Sequence, residues 1–451
     1  MKSLLFTSRL FHRAWIPSHF SHVAAMEKLK LQVSATNALI DDKVRIVVSG
    51  LKEEQEITLQ TFTKDDAYTY GALGHYRADS RGLVDTFVSH CHGGTFTGVE
   101  PMGLFWSMKT LNSDSPGRML RQAKLDSPYC VSVALNHGFQ KFQDIQWSTE
   151  LSGIDTCQIH RHYVAQNVRR IPIEENGIFG TLFLPPGDGP FPTVVDTFGI
   201  GLFMENRSAL LASRGFASFA LAHSNYKGLP KDEKSVDFNY FLKAFDWLLT
   251  QPFVNPDAVG CVANCSGAGY FSLLASRRPQ VKCMVLINSV WFPIGHDQEV
   301  EGEMVNSILF LIHRFRLVKP SFLSFREMFH PSDNVTLSEG WRHGAKILYL
   351  RGDNDECIDP KYAAFHEAKI PAQFRNNLTF VNYPGAGHML DPPYTPVYTH
   401  DPAGLFGLHM YWGGQPKPHA DAQEDAWRRL LSFLETHLCK TSPSVQLNSQ
   451  L

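Results

Sequence analysis

Ala258-Val259-Gly260-Cys261-Val262-Ala263-Asn264-Cys265-Ser266-Gly267-Ala268-Gly269 is the stretch whose reading decides the fold. The apolar run after Asp257 reads as a buried strand, and Tyr270-Phe271-Ser272-Leu273-Leu274-Ala275 has the apolar spacing of a helix. Cys265 falls where the strand must become the helix. Two positions before it is Ala263 and two after it is Gly267, so both places where a tight turn crowds a side chain hold almost none. The pattern is a nucleophile elbow, small-x-nucleophile-x-small, with cysteine in the serine slot. Such a turn pushes the sulfur out at the top of the sheet, beside helix N–H groups whose positive dipole end favours a thiolate. Ser266 is the rival nucleophile, but its flanks are Asn264 and Ala268, and asparagine fits the cramped position poorly. Cys265 is the better choice.

An elbow of this kind is followed by an acid after a later strand and a histidine after the last one. Lys346-Ile347-Leu348-Tyr349-Leu350 reads as a strand, and the loop after it is Arg351-Gly352-Asp353-Asn354-Asp355-Glu356-Cys357-Ile358-Asp359. Asp355, at the far side of the turn, is the preferred acid and Asp353 the alternative; either would hold a histidine ring in its working tautomer. After the strand Leu378-Thr379-Phe380-Val381 comes Tyr383-Pro384-Gly385-Ala386-Gly387-His388, where a flexible Gly-x-Gly lets His388 reach over the sheet. An oxyanion hole needs two N–H donors. One is that of Ser266; the other is expected from Ile200 or Gly201 in the loop Phe198-Gly199-Ile200-Gly201-Leu202.

Working outward, residues 168–440 alternate strands with helices and read as an α/β domain with a mostly parallel sheet. The strands there are Gly180–Leu184, Pro192–Phe198, Phe216–Leu221 and Val281–Ile287, and helices cover Ser208–Arg214 and the Phe238, Phe241, Phe245, Leu248 face. Residues 296–340 interrupt the rhythm; their apolar run, Ile308 to Ile312, fits a lid over an apolar substrate or an insertion helix. Residues 29–165 instead show short alternating runs, among them Leu31–Ala35, Lys43–Val48, Ile57–Thr63, Val131–Leu135 and Gln158–Val164, which predict an antiparallel β-sandwich.

The 451 residues suit two domains. With 42 basic and 44 acidic side chains there is no electrostatic case for nucleic acid. Eight cysteines without a C-x-x-C pair or metal-ligand spacing imply reduced thiols, an intracellular protein and no metal. No apolar run is long enough for a membrane span. Residues 1–25 carry Lys2, Arg9 and Arg13 with no acid before Glu27, as in a mitochondrial leader, and Met26 offers a second start. In the tail, 441–451, Ser449-Gln450-Leu451 approaches the peroxisomal Ser-Lys-Leu address. Peroxisome or mitochondrion is the expected location, with cytosol the alternative.

Pro190-Phe191-Pro192, Asp196-Thr197-Phe198-Gly199-Ile200-Gly201, Ala209 to Ala217, Tyr383 to His388 and Trp412-Gly413-Gly414 resemble the acyl-CoA thioesterase and bile acid-CoA:amino acid N-acyltransferase family. His75 to Asp79 and Gly98 to Trp106 echo its amino-terminal sandwich, so the resemblance covers about residues 29–440. It implies a sandwich followed by an α/β-hydrolase domain, with a nucleophile-Asp-His triad on Cys265, Asp355 and His388. Ala263 departs from the family's usual residue, and the Gly199 loop is shorter and less glycine-rich than in most members. Cysteine as nucleophile, together with Trp291-Phe292-Pro293-Ile294-Gly295, is similar to the conjugating branch rather than the serine thioesterases. The expected substrate is an acyl-CoA, the acceptor an amino acid such as glycine or taurine, or water, and no cofactor is implied beyond the CoA thioester itself. Hydrolysis of fatty or bile acyl-CoA is the alternative activity, and a non-catalytic binding homologue the alternative class.

Overall fold

Alternating apolar residues in the first third of the chain build two packed sheets. The computed structural model describes residues 28–112, 117–120, 125–148, 151–199, 203–232, 235–308, 311–329, 334–405 and 407–439. The leader and the carboxyl-terminal tripeptide therefore lie outside the described residues. One sheet joins Lys30–Val33, Ile46–Ser49 and Val84–Asp85. The other runs Asn37–Leu39, Asp155–His162, Tyr129–His137, Glu56–Lys64, Thr69–Arg77, Gly93–Gly94, with Lys109–Thr110 at the side of Thr69–Arg77. All neighbours are antiparallel except Asn37–Leu39 against Asp155–His162. Glu56–Lys64 is buried on both faces, where Thr58, Thr61 and Thr63 donate to the carbonyls of Gly138, Leu104 and Cys130. These bonds offset the cost of burying hydroxyls inside a sandwich. The glycine-rich stretch before Trp106 closes with one helical turn, Gly103–Trp106.

The second sheet system is the α/β-hydrolase domain. Its strands, in chain order, are β1 (Arg169–Glu175), β2 (Ile178–Leu184), β3 (Phe191–Thr197), β4 (Ala217–Leu221), β5 (Val254–Cys265), β6 (Val281–Ser289), β7 (Lys346–Gly352) and β8 (Leu378–Tyr383). Their spatial order is β1-β2-β4-β3-β5-β6-β7-β8, with β2 antiparallel to both of its neighbours, β1 and β4, and the remaining pairs parallel. Helices α1 (Asn206–Ser213), α2 (Phe238–Leu249), α3 (Gly267–Arg277), α4 (Lys361–Ala368) and α5 (Pro416–Leu438) pack around the sheet. Both faces of the sheet are covered, so its strands read as continuous apolar runs with opposite faces taken alternately. On β5, Val262 joins the cluster containing α1 and α5, while Cys261 and Ala263 join that containing α2 and α3. The strand β1 and the helix α5 go beyond the sequence expectation. The signal for α5 is present in Ala426, Leu430, Leu434 and Leu438, all buried.

Residues 296–340 form no α-helix among those described. The segment contains the hairpin Gln298–Val300 with Glu303–Val305, then Arg316–Lys319 with Phe322–Ser324, and the last of these pairs with Leu408–Tyr411 of the hairpin that His400–Leu405 begins. The small sheet so made caps the carboxyl ends of β5 and β6. Leu309 and Phe310, the centre of the apolar run expected as lid or helix, fall outside the described residues.

The sandwich is tied to the second domain at several places, among them the ion pairs Lys43–Glu424 and Lys417–Glu100. Arg214 pairs with Asp41 and Asp42, and Trp427 Nε1 donates to Asp41 at 2.9 Å. Nearer the cap, Val397 N donates to Trp106 O and Thr399 N to Gly117 O.

Candidate active site

Backbone strain marks the elbow. β5 ends at Cys265, whose φ is +54°, and α3 begins two residues later with Ser266 as its N-cap. A β-carbon residue in the left-handed region costs about 1–3 kcal/mol and persists only where the surroundings enforce it. They do: a Cβ on Gly267 would meet Thr197 Cγ2 at 2.8 Å, and one on Gly269 would meet Phe292 O at 1.9 Å. Ala263 is fully buried at the other small position.

His388 and Asp355 come to this elbow from the loops after β8 and β7. His388 Nδ1 lies 2.8 Å from Asp355 Oδ2, and the ring and the Cys265 side chain line one small cavity. With Nδ1 on the carboxylate, Nε2 is the nitrogen left for the sulfur. The other Asp355 oxygen accepts from Cys357 N at 2.7 Å and Ile358 N at 3.0 Å. Burial disfavours charge on His388 most strongly, yet the Asp355 carboxylate and the Cys265 sulfur outweigh it and hold the imidazole raised to about 10. Asp353, the alternative acid, is exposed and instead accepts from Gly385 N at 2.5 Å, shaping the histidine loop. The three residues chosen from sequence are thus brought together.

The loop carrying His388 is clamped from several sides. Asn288 donates to the carbonyls of Gly387 and His388 at 3.0 and 2.7 Å while accepting from Gly352 N at 2.7 Å, which joins the histidine loop to the acid loop. His419 Nδ1 accepts from Gly387 N at 2.8 Å, so its Nε2 carries the hydrogen donated to Met389 O at 2.8 Å. His388 N donates to Trp412 O at 2.9 Å. Neither Asn288 nor His419 carries a sequence signal, because each acts on backbone groups about 100 and 30 positions away.

Gly199 is the oxyanion-side residue that spacing alone did not single out. A Cβ there would stand 2.4 Å from Ser266 Oγ and 2.6 Å from Ser266 N, so the loop after β3 reaches the elbow only because residue 199 has no side chain. Ser266 is where expected, fully buried at the start of α3. Ile200 and Gly201 lie outside the described residues.

One expectation is corrected. Cys265 is not presented openly at the top of the sheet; it is only 4 % exposed. The reason is that Met410 of the cap, Trp412 just after it, Phe198 of the loop after β3 and Met389 of the histidine loop close over Cys265 and His388, leaving a cavity of about 20 Å³. That is room for about one water. Leu323, Phe325, Met328 and Ile308 extend the same apolar cluster behind the cap.

Donor atoms of Asp355, Cys357 and His388 lie within 4.8 Å of one another. Both Asp355 oxygens are already engaged with the ring and with backbone N–H groups, which suits a proton relay rather than a ligand cage. No helix among the described residues is long and apolar enough to cross a membrane.

The family described as "Acyl-CoA thioester hydrolase/BAAT N-terminal region" matches residues 41–175, and "BAAT / Acyl-CoA thioester hydrolase C terminal" matches residues 236–440. The bile acid-CoA:amino acid N-acyltransferase of Mus musculus is 36% identical over 417 residues, covering 91% of this chain and 98% of its own. Acyl-coenzyme A thioesterase 3 of Mus musculus is 33% identical over 411 residues, covering 90% and 93%. Among solved structures, a puromycin-hydrolyzing peptidase of Mycobacterium tuberculosis aligns with a TM-score of 0.40 at 12% identity, over 83% of this chain and 53% of that one. Relatives that are acyltransferases and thioesterases make this chain an enzyme and set aside the non-catalytic alternative. The chain belongs to the acyl-CoA thioester hydrolase and bile acid-CoA:amino acid N-acyltransferase family.

Proposed function

We propose that the protein transfers an acyl group from coenzyme A to Cys265 and then to the amine of an amino acid such as glycine or taurine. The observation that carries this reading is a cysteine on a strained elbow that shares one small apolar-walled cavity with His388. His388 takes the thiol proton, the sulfur attacks the thioester carbonyl, and the oxyanion rests on N–H groups at Ser266 and in the Gly199 loop. The carbon–sulfur bond to CoA breaks, the imidazolium returns its proton to the departing CoA sulfur, and an S-acyl enzyme remains. An amine then attacks with His388 again as base, giving an amide and the free thiol. One thioester replaces another, so the first half-reaction is close to balanced, and thioesters favour amines over water more than oxygen esters do.

The apolar cluster behind Cys265 supports a fatty or bile acyl group, and the closed cap supports exclusion of water. A cavity of about 20 Å³ holds no acyl chain, so loading requires the cap to part. Hydrolysis is the second reading, favoured by one observation: among the described residues around the cavity, His388 is the sole ionisable nitrogen base, and no Lys or Arg is there to hold an acceptor's carboxylate or sulfonate.

The test is to incubate the enzyme with a fatty or bile acyl-CoA, with and without glycine or taurine. CoA release is followed with a thiol reagent, and the acyl product is weighed by mass spectrometry. Amide formation dependent on Cys265 supports conjugation; free acid alone under saturating amine establishes hydrolysis; no CoA release from either substrate sinks both. The two chain ends support delivery to mitochondrion or peroxisome, and deleting residues 1–25 or 449–451 and imaging the protein tests each address.

A further inference from the structure

Beneath the elbow lies a guanidinium whose partners all belong to segments that lead into the reacting groups. Arg207, at the start of α1, is 3 % exposed. Its Nε donates to Asp196 Oδ1 at 2.9 Å, one terminal nitrogen donates to Asn264 Oδ1 and to Asp391 Oδ2 at 2.8 Å, and the other donates to Asp196 Oδ1 and to Thr197 O at 3.2 Å. All five N–H donors of the side chain are thereby used. Ser208 Oγ holds the other Asp196 oxygen at 2.9 Å, and the guanidinium lies 4.4 Å from the centre of the Phe198 ring.

The positions of those partners matter more than their number. Asp196, Thr197 and Phe198 lead directly into Gly199, which touches Ser266. Asn264 immediately precedes Cys265, and Asp391 lies in the stretch that follows His388 and Met389. We propose that Arg207 is a positioning residue that holds the oxyanion loop, the nucleophile elbow and the histidine loop in one register, through Asp196, Asn264 and Asp391. Arg207 touches no reacting atom itself.

A contribution to stability alone accounts poorly for the arrangement. Two buried carboxylates on one buried cation cost desolvation that packed apolar groups of the same volume avoid, so such a cluster is weak support for a folding role. A planar fork with fixed directions is well suited to setting the relative placement of three loops. Misplacement of a reacting group by about 1 Å costs about 100-fold in rate.

This inference rests on Cys265 and His388 being the reacting pair, and the experiment separates the two. The full chain is compared with Arg207→Lys, Asp391→Asn and Cys265→Ala. Three quantities are read: kcat and KM for acyl-CoA, thermal melting, and the rate of iodoacetamide alkylation mapped to Cys265 across pH. Wild type with no Cys265-dependent CoA release sinks the reaction and leaves the positioning question to alkylation alone. With the reaction present, Arg207→Lys is expected to lower kcat about 100-fold with KM within about threefold. The alkylation midpoint is expected to move to higher pH as the sulfur loses its fixed imidazolium partner. Asp391→Asn, isosteric and losing one tie, shifts both in the same direction by less, and decides the matter if Arg207→Lys does not fold. Folded variants with wild-type kcat and alkylation midpoint overturn the proposal, as does a kcat loss that tracks the folded fraction while the midpoint stays put.

Discussion

Gly199 and Ser266 approach so closely that a Cβ on Gly199 would stand 2.6 Å from the Ser266 nitrogen. Cys265 Cβ would be 2.9 Å from the same added atom. The turn after β3 therefore closes on the elbow, and any side chain at 199 drives the two apart.

Gly199→Ala is expected to lower kcat for CoA release by about 10²–10³, the usual cost of losing an oxyanion donor, while leaving the fold intact by circular dichroism. Steady-state kinetics with one acyl-CoA checks this. A loss below about threefold would place the second donor elsewhere.

Asp355 Oδ2 lies on the His388 ring, so its expected effect on the reaction runs through that ring. Asp355→Asn turns the ring to the wrong tautomer and is expected to lower kcat by roughly 10²–10⁴. The imidazole is held raised to about 10 against burial by Asp355 and Cys265, so the proton it takes from the thiol stays on the ring through neutral pH and is lost to solvent only as pH approaches that value. Without the carboxylate, burial dominates, so the alkaline limb of the kcat profile moves to lower pH. A limb that does not move contradicts this role.

Three buried rings predict acid sensitivity. Burial lowers His366 to about 3, and lowers His400 and His419 to about 4, with Lys369 adding to the effect at His366 and His409, Arg118 and Lys319 adding at His400. Unfolded histidines bind a proton near pH 6.5, so between that value and the folded ones the unfolded chain holds more protons. Stability is complete above about 6.5 and falls as pH drops, by about 2 kcal/mol per ring at pH 5. Urea midpoints measured from pH 7.5 to 5 check the slope. His419→Gln should flatten it by about a third, and an unchanged slope removes His419 from the account.

Cys265→Ser replaces a thioester intermediate with an oxygen ester. Water then competes better with the amine, so the ratio of free acid to amide rises while total turnover falls. Product ratios at fixed taurine check this, and a flat ratio removes the chemical case for cysteine as a conjugating nucleophile.

The elbow was legible because it is local. Ala263, Cys265 and Gly267 sit within five residues of one another, and the change from strand to helical spacing at that point needs no distant partner. The same holds for β7 with its acidic loop and β8 with its Gly-x-Gly-His. The choice between Asp355 and Asp353 was open in sequence because both follow one strand; burial under the hairpin that carries Trp412 separates them.

From sequence alone came the fold class and the choice of Cys265, Asp355 and His388 as the candidate triad, since periodicity and loop order are properties of neighbours along the chain. Tertiary structure alone decided that Cys265 lies covered, that Gly199 touches Ser266, and that Arg207 reaches Asp391 across 184 positions. Burial and hydrogen bonding depend on segments that meet only after folding, and no spacing rule within one segment encodes which distant segment will cover it.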